Sequence, residues 1–248
     1  MSSTSSQAVP HTRWLTLDSQ NATAATDATT AAPFTGYLAL PPGGRGPGLL
    51  LLQEIFGVNE HIQAVARQWA LHGFVVLAPD LFWRQQHQVA LGYEGADREQ
   101  AVALMKALTP AQAGHDMHTA IAALKALPEC NGRVAALGFC MGGRLAWQAA
   151  AAGGVDAAVA WYGGGIQQQL QLADQIKVPV QFHYAEHDDH IPLSAVAEVQ
   201  AAMAGKPHEC HVYPGSKHGF NCWARASWHP ASAALANSRS LGFLSHLF

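Results

Sequence analysis

Short apolar runs alternate with segments of helical periodicity along most of this 248-residue chain. The runs "GLLLLQE" and "FVVLAPD" are almost continuously apolar, which is typical of strands buried on both faces of a parallel sheet. Between them, "NEHIQAVARQWALHG" has a helical period, with Asn59 as its N-cap and Gly73 as its stop. We therefore predict an α/β fold, in which helices cover both faces of a mostly parallel central sheet.

The same alternation continues to the last residue. Further strands are predicted at "RVAALG", "DAAVAWY", "VPVQFHYAE" and "HECHVYPG", and further helices at 97–108, 111–127, 142–152, 192–205 and 228–248. Upstream, "WLTLD" and "FTGYLALP" predict two short strands, separated by a low-complexity Ser/Thr/Ala stretch at 19–33 that predicts a long loop or a mobile hairpin insertion. We divide the chain into a polar N-terminal segment, 1–34, and a single α/β domain, 35–248.

Charge and cysteine content restrict the function classes. The net charge of −3 gives no reason to expect a nucleic-acid or membrane-surface partner, and no apolar run is long enough to span a bilayer. The beginning of the sequence has no apolar core of a signal peptide. The four cysteines form no CxxC pair and no metal-ligand spacing. We expect a cytoplasmic protein with free thiols, without a bound metal or other cofactor.

The stretch "GFCMGG" lies between a predicted strand and a predicted helix. Strand, Gly-x-Cys-x-Gly and helix together form the pattern of a nucleophile elbow, with Cys140 in the place of the usual serine. Gly138 and Gly142 remove the side chains that would clash in so tight a turn. The helix N-terminus favours a thiolate, and the backbone N–H of Met141 can bind an oxyanion. The alternative is a buried structural cysteine in a glycine-rich turn.

A cysteine nucleophile needs a base and a group that orients the base. In folds with a nucleophile elbow between a strand and a helix, the catalytic residues follow one another along the chain as nucleophile, acid and histidine. Glu186, Asp188 and Asp189 all follow the predicted strand "VPVQFHYAE", and His218 follows the last predicted strand. The order Cys140, Asp188, His218 therefore fits a catalytic triad.

With these residues the chain resembles the dienelactone hydrolases (carboxymethylenebutenolidases). The blocks that carry the resemblance are "LLQEIFGVNEHI", "APDLFWRQ", "GFCMGGRLAW", "AVAWYGGG", "HYAEHDDHIP" and "YPGSKHGFN". The resemblance implies an α/β-hydrolase fold for 35–248 and hydrolysis of small esters or lactones. It also implies that Asp188 is the acid of the triad, that Glu54 approaches the thiol, and that the backbone N–H of Ile55 completes the oxyanion hole.

Substrate binding departs from the pattern of that family. Members that act on dienelactone hold the substrate carboxylate with two arginines, and Arg84 matches the first. The second would lie four residues after the catalytic histidine, where this chain has Cys222. Arg225, three residues further on, is the candidate replacement. Tyr162 is a candidate pocket residue, although an aromatic side chain at a strand end is as often part of the core.

The sequence analysis thus predicts a hydrolase of small esters or lactones, including substrates that carry a carboxylate. The predicted mechanism uses a Cys-His-Asp triad and a thioester acyl-enzyme. Two alternatives stay open. One is a general carboxylesterase or thioesterase on the same fold, since a fold does not select a substrate. The other is a non-hydrolytic thiol protein that serves in redox sensing or binding.

Overall fold

The computed structural model of the protein describes residues 9–17 and 33–248. Within them, eight strands form one sheet in the order β1-β2-β4-β3-β5-β6-β7-β8. The strands are β1 (His11–Thr16), β2 (Thr35–Leu40), β3 (Gly46–Leu52), β4 (Val75–Pro79), β5 (Cys130–Phe139), β6 (Ala157–Trp161), β7 (Val180–His187) and β8 (His208–Lys217). β2 is antiparallel to β1 and β4, and every other pairing is parallel. The predicted mostly parallel sheet is confirmed.

Helices cover both faces of this sheet. They are α1 (Glu60–Leu71), α2 (Gly95–Ala107), α3 (Pro110–Ala126), α4 (Met141–Ala152), α5 (Leu193–Ala202) and α6 (Pro230–Leu244). Leu49 and Leu51 of β3 pack in the cluster that contains α1 and α6 residues, and Leu50 and Leu52 pack in the one that contains α3 and α4 residues. The continuous apolar run of β3 is therefore explained by burial on both faces.

The ends of α1 agree with the sequence analysis, and α3 also begins with a side-chain cap. The Asn59 side chain accepts a hydrogen bond from the backbone N–H of Ile62 and so caps α1. Thr109 and Gln112 form a capping box at the beginning of α3, just before Pro110 at its first position. α1 ends just before Gly73, which adopts a φ of +96°.

Several predicted boundaries were wrong. The first strand covers 11–16 rather than 14–18, because its polar first half pairs with Leu40, Ala39 and Leu38 of β2. This pairing makes part of the N-terminal segment an edge strand of the main sheet. β5 begins at Cys130, before the predicted "RVAALG", and the last α-helix ends at Leu244. The loop or hairpin predicted at 19–33 lies, apart from Pro33, outside the described residues.

Among the described residues, no helix is long and apolar enough to cross a membrane.

Candidate active site

The turn between β5 and α4 is strained in the way that the glycine pattern predicts. Cys140 is the N-cap of α4 and has a φ of +55°, which residues with a side chain rarely adopt. A Cβ atom on Gly138 would overlap the Gly142 carbonyl group, and one on Gly142 would overlap the Leu52 carbonyl group of β3. The backbone N–H of Cys140 donates to the Trp161 carbonyl oxygen at 3.0 Å. The elbow is thus fixed between the ends of β3 and β6.

This placement brings the two candidate oxyanion donors to one edge of the sheet. β3 and β5 are parallel neighbours with Leu52 paired to Gly138, so the segment that leads to Ile55 lies beside the elbow. As the first residue of α4, Met141 has a backbone N–H without an acceptor inside the helix. The predicted roles of Ile55 and Met141 in binding an oxyanion are compatible with these positions.

The acid and the histidine follow two neighbouring strands, as predicted. Asp188 comes directly after β7 and His218 directly after β8. The Nδ1 atom of His218 lies 2.8 Å from Oδ2 of Asp188. The other oxygen of Asp188 accepts hydrogen bonds from the backbone N–H groups of His190 (2.8 Å) and Ile191 (3.1 Å). This carboxylate is therefore held in one orientation, with one oxygen left for the imidazole.

The two other acids near Asp188 point elsewhere. Asp189 is exposed, and exposed Glu186 accepts a hydrogen bond from the backbone N–H of Gly215 at 2.8 Å. The structure thus joins Asp188, rather than Glu186 or Asp189, to His218.

His218 is buried between charged and aromatic neighbours. Tyr162 and His190 lie edge-on to its ring at centroid distances of 5.1 Å and 5.0 Å. Burial alone would lower the pKa of His218, but hydrogen bonds with Asp188 and Cys140 outweigh this effect and raise the pKa to about 10. The imidazole is therefore protonated near pH 7, and the Cys140 thiol is its neighbour. The proximity of His190 was not predicted, because nothing in its loop sequence indicates the direction of its side chain.

Tyr162 lies beneath the site rather than on an open pocket wall. It is fully buried, its hydroxyl has no hydrogen-bond partner among the described residues, and its φ of +37° is a second strained position beside the elbow. Burial raises the pKa of Tyr162, and the nearby Glu54 carboxylate raises it further. Its role in substrate binding stays a prediction.

Glu54 lies two residues after β3 and is almost fully buried. One carboxylate oxygen, Oε1, accepts a hydrogen bond from Nη1 of Arg225 at 3.1 Å. Burial raises the pKa of Glu54, against the lowering effects of Arg225 and His218. The structure therefore places Glu54 and Arg225 in one ion pair close to His218. Sequence reasoning named both residues but did not predict their pairing.

Arg84, predicted to bind the substrate carboxylate, contacts Asp116 and Trp83 in the structure. Its guanidinium forms two hydrogen bonds with the buried carboxylate of Asp116, at 2.6 Å and 2.9 Å, and lies over the ring of Trp83. Trp83 also donates to Asp116, at 3.2 Å. Among the described contacts of Arg84, none reaches Cys140, Asp188 or His218. The predicted role of Arg84 in substrate binding therefore has no direct support from its position, whereas Arg225 lies within the site.

Comparisons with known proteins identify the family of the chain. The sequence profile of the Dienelactone hydrolase family matches residues 34–248. The chain belongs to the dienelactone hydrolase family. It is 31% identical over 224 residues to a carboxymethylenebutenolidase of Pseudomonas sp. strain P51, and the alignment covers 89% of this chain and 93% of that protein. A carboxymethylenebutenolidase of Pseudomonas putida is 32% identical over 216 residues, with 86% and 92% of the two chains covered.

A solved structure shares the fold. The crystal structure of a Klebsiella pneumoniae protein, assigned as a dienelactone hydrolase, superposes with a TM-score of 0.81 at 28% sequence identity. It covers 95% of this chain and 98% of that one. This dienelactone hydrolase family member therefore has the α/β-hydrolase fold, as predicted, and is a hydrolase of the lactone and ester class. Membership disfavours the alternative of a non-hydrolytic thiol protein.

Proposed function

We propose that the protein hydrolyses small, carboxylate-bearing esters or lactones through Cys140, His218 and Asp188, with a thioester acyl-enzyme as the intermediate. The observation that carries this proposal is the Asp188–His218 hydrogen bond of 2.8 Å beside the strained elbow of Cys140. Asp188 accepts the Nδ1–H of His218 and so orients the ring with Nε2 toward the thiol. The four cysteines are free, which is consistent with a reducing cytoplasm, where we place the protein.

The proposed chemistry has two stages. The proton of the Cys140 thiol passes to Glu54, and the sulfur attacks the carbonyl carbon to form a tetrahedral oxyanion facing the N–H groups of Ile55 and Met141. The carbon–oxygen bond of the ester breaks, and the leaving alkoxide takes a proton from His218. In the second stage His218 accepts a proton from water, and the resulting hydroxide attacks the thioester carbonyl. The thiolate leaves and regains its proton from Glu54.

The Glu54–Arg225 pair suggests how a substrate carboxylate would take part. While Arg225 holds Oε1 of Glu54, the negative charge of that carboxylate is largely neutralised. A substrate carboxylate would compete for the same guanidinium, which has further N–H donors. Glu54 would then lose part of its partner and become a better acceptor for the thiol proton. In the family pattern, an arginine at the position of Cys222 contacts the substrate carboxylate. We infer that Arg225 supplies this contact in the present chain.

The first prediction tests the function and the charge preference together. The wild-type enzyme should have a higher kcat/KM for an ester bearing a free carboxylate than for its neutral methyl ester. Arg225→Gln should reduce this ratio by about 10- to 100-fold, because a hydrogen bond between two charged groups contributes about 1.5–3 kcal/mol. Both kcat/KM values are measured on the same preparation, so a general loss of activity cancels in the ratio.

A matched control separates the two arginines. Arg84→Gln alone would leave Asp116 buried without its partner, so the control is Arg84→Gln with Asp116→Asn. We expect this double variant to keep most of the charge preference. If the double variant loses the preference and Arg225→Gln keeps it, Arg84 is the carboxylate ligand. No hydrolysis of any small ester or lactone by the wild type would contradict the proposed function itself.

The second prediction concerns Glu54 as the proton acceptor. Glu54→Gln should lower kcat by about 100-fold or more, since loss of a general base costs about 10²- to 10⁴-fold. The same change should not slow alkylation of Cys140 by iodoacetamide in the empty enzyme, because Arg225 then lies uncompensated near the thiol. The two rates are measured side by side, with exposed Glu186→Gln as the control. An equal fall in both rates would show that Glu54 activates the thiol already in the resting enzyme.

A further inference from the structure

Three buried side chains of different chemistry meet next to the proposed catalytic groups. They are Glu54 from the end of β3, His61 from α1, and Cys222 from the loop after β8. One ligand atom from each side chain lies within 4.8 Å of the other two: a carboxylate oxygen, a ring nitrogen and the sulfur. The hydrolytic scheme described above uses Glu54 but neither His61 nor Cys222.

Three polar atoms of this cluster have no hydrogen-bond partner among the described residues. Neither ring nitrogen of His61 has a hydrogen-bond partner among the described residues, and neither does Oε2 of Glu54. Both side chains are about 98–99% buried. A buried polar atom without a partner costs free energy, so such groups are rare in folded proteins unless a ligand completes them. Two neighbouring side chains with this deficit point to a missing common partner.

His61 lies under a partly exposed aromatic side chain. Its ring packs edge-on against that of Trp223, with 4.3 Å between the ring centroids, and Trp223 is 44% exposed.

Polar side chains lie next to Cys222, outside the cluster itself. The Tyr93 hydroxyl is near the Cys222 sulfur. The Tyr93 hydroxyl in turn accepts a hydrogen bond from Nδ2 of Asn59 at 3.0 Å. Such outer contacts orient and stabilise the ligands of protein metal sites.

We propose that Glu54, His61 and Cys222 bind a divalent cation of the zinc class. Carboxylate oxygen, imidazole nitrogen and thiolate sulfur are all zinc ligands, and three of them with one open position are typical of an accessible site. In tetrahedral zinc sites the ligand atoms lie about 3.3–3.8 Å apart, so each group needs to move by no more than about 1 Å. On binding, the Cys222 proton leaves to solvent, and two negative ligands offset the double charge of the cation.

Occupation of this site would inhibit the enzyme. A cation on Oε2 of Glu54 prevents that carboxylate from accepting a proton, while Arg225 keeps its contact with Oε1. The inhibition rests on the proposed function of Glu54, but the binding of the cation does not. The two can therefore be tested separately.

The binding test uses Co²⁺ as a spectroscopic probe in the full-length Cys140→Ala protein, which removes the catalytic thiol as a competing ligand. Titration should produce a thiolate-to-cobalt charge-transfer band at one cobalt per chain, and Zn²⁺ should abolish the band. Adding Cys222→Ser should eliminate the band, and adding His61→Gln should weaken affinity by about 10- to 100-fold. Adding Cys210→Ser, at a partly buried thiol on β8, should leave the titration unchanged.

Circular dichroism of each variant shows whether it has folded. No band in Cys140→Ala, a band that survives Cys222→Ser, or a band lost with Cys210→Ser would overturn the site. In the wild type, Zn²⁺ should inhibit ester hydrolysis reversibly, with activity restored by EDTA, and His61→Gln should need about 10-fold more Zn²⁺ for half-inhibition. Cobalt binding with undiminished hydrolysis in Zn²⁺ would overturn the inhibitory role of the site.

Discussion

Replacing Cys140 with alanine is expected to reduce kcat for small esters by about a thousandfold or more, because Cys140 is the proposed nucleophile and alanine cannot form an acyl-enzyme. Alanine keeps the Cβ atom, so the backbone strain at a φ of +55° is the same in both proteins. The loss can then be assigned to the sulfur atom and not to a relaxed elbow. In free-energy terms, a thousandfold loss corresponds to about 4 kcal/mol of the activation barrier.

Three measurements establish this assignment. Iodoacetamide should abolish wild-type activity, and peptide mass spectrometry should find the label on Cys140. Rapid mixing with p-nitrophenyl acetate, followed by acid quenching, should increase the mass of the wild type by one acetyl group and leave Cys140→Ala unchanged. Cys210→Ala is the matched control, because burial raises the pKa of Cys210 to about 11 and makes it a weak nucleophile. Near wild-type turnover in Cys140→Ala would end the proposal of a cysteine nucleophile.

The central architecture could be predicted because local sequence determines it. Leu49 to Leu52 are apolar on both sides of the strand, and a strand of that kind is stable only inside a parallel sheet covered on both faces. The elbow was equally predictable. Gly138 and Gly142 are required by contacts with backbone atoms only a few residues away or on the neighbouring strand.

The contacts within the site could not be predicted in the same way. Glu54 and Arg225 are 171 positions apart, and only the folded chain shows that the arginine neutralises the carboxylate. Arg84 has a suitable charge and a suitable position in the sequence, yet Asp116 on α3 binds its guanidinium. A sequence states which charges are present, whereas pairing depends on the side-chain directions that packing selects.

The cluster of Glu54, His61 and Cys222 shows the same limit. His61 occupies a position on α1 that faces the core, where an amphipathic pattern predicts only burial. The three residues have no metal-binding spacing along the chain, which is why the cysteine count alone led us to expect no metal. Their common feature, unpartnered polar atoms within reach of one another, exists only in three dimensions.

Asp188→Asn is expected to lower kcat by about 10³- to 10⁴-fold, while Asp189→Asn should change it by less than about twofold. Both substitutions remove one negative charge from adjacent positions, so a general electrostatic effect would act on both. Only Asp188 bonds to His218, and an asparagine that presents its amide N–H to Nδ1 stabilises the wrong imidazole tautomer. The backbone N–H groups of His190 and Ile191, which donate to Oδ1 of Asp188, can still donate to the amide oxygen of asparagine. The loop should therefore keep its conformation.

The pKa of His218 provides a second measurement, which a merely structural effect would not move. Hydrogen bonds with Asp188 and Cys140 raise it to about 10 against the opposite effect of burial. In Asp188→Asn the hydrogen bond with the Asp188 carboxylate is lost, while the lowering effect of burial remains. The pKa of His218 should therefore fall. NMR titration of the ring proton can follow this change in the three proteins, and Asp189→Asn should match the wild type. If Asp189→Asn lowers both turnover and the pKa while Asp188→Asn does neither, the acid of the triad is Asp189, and the hydrogen bond to Asp188 is not the one that operates in catalysis.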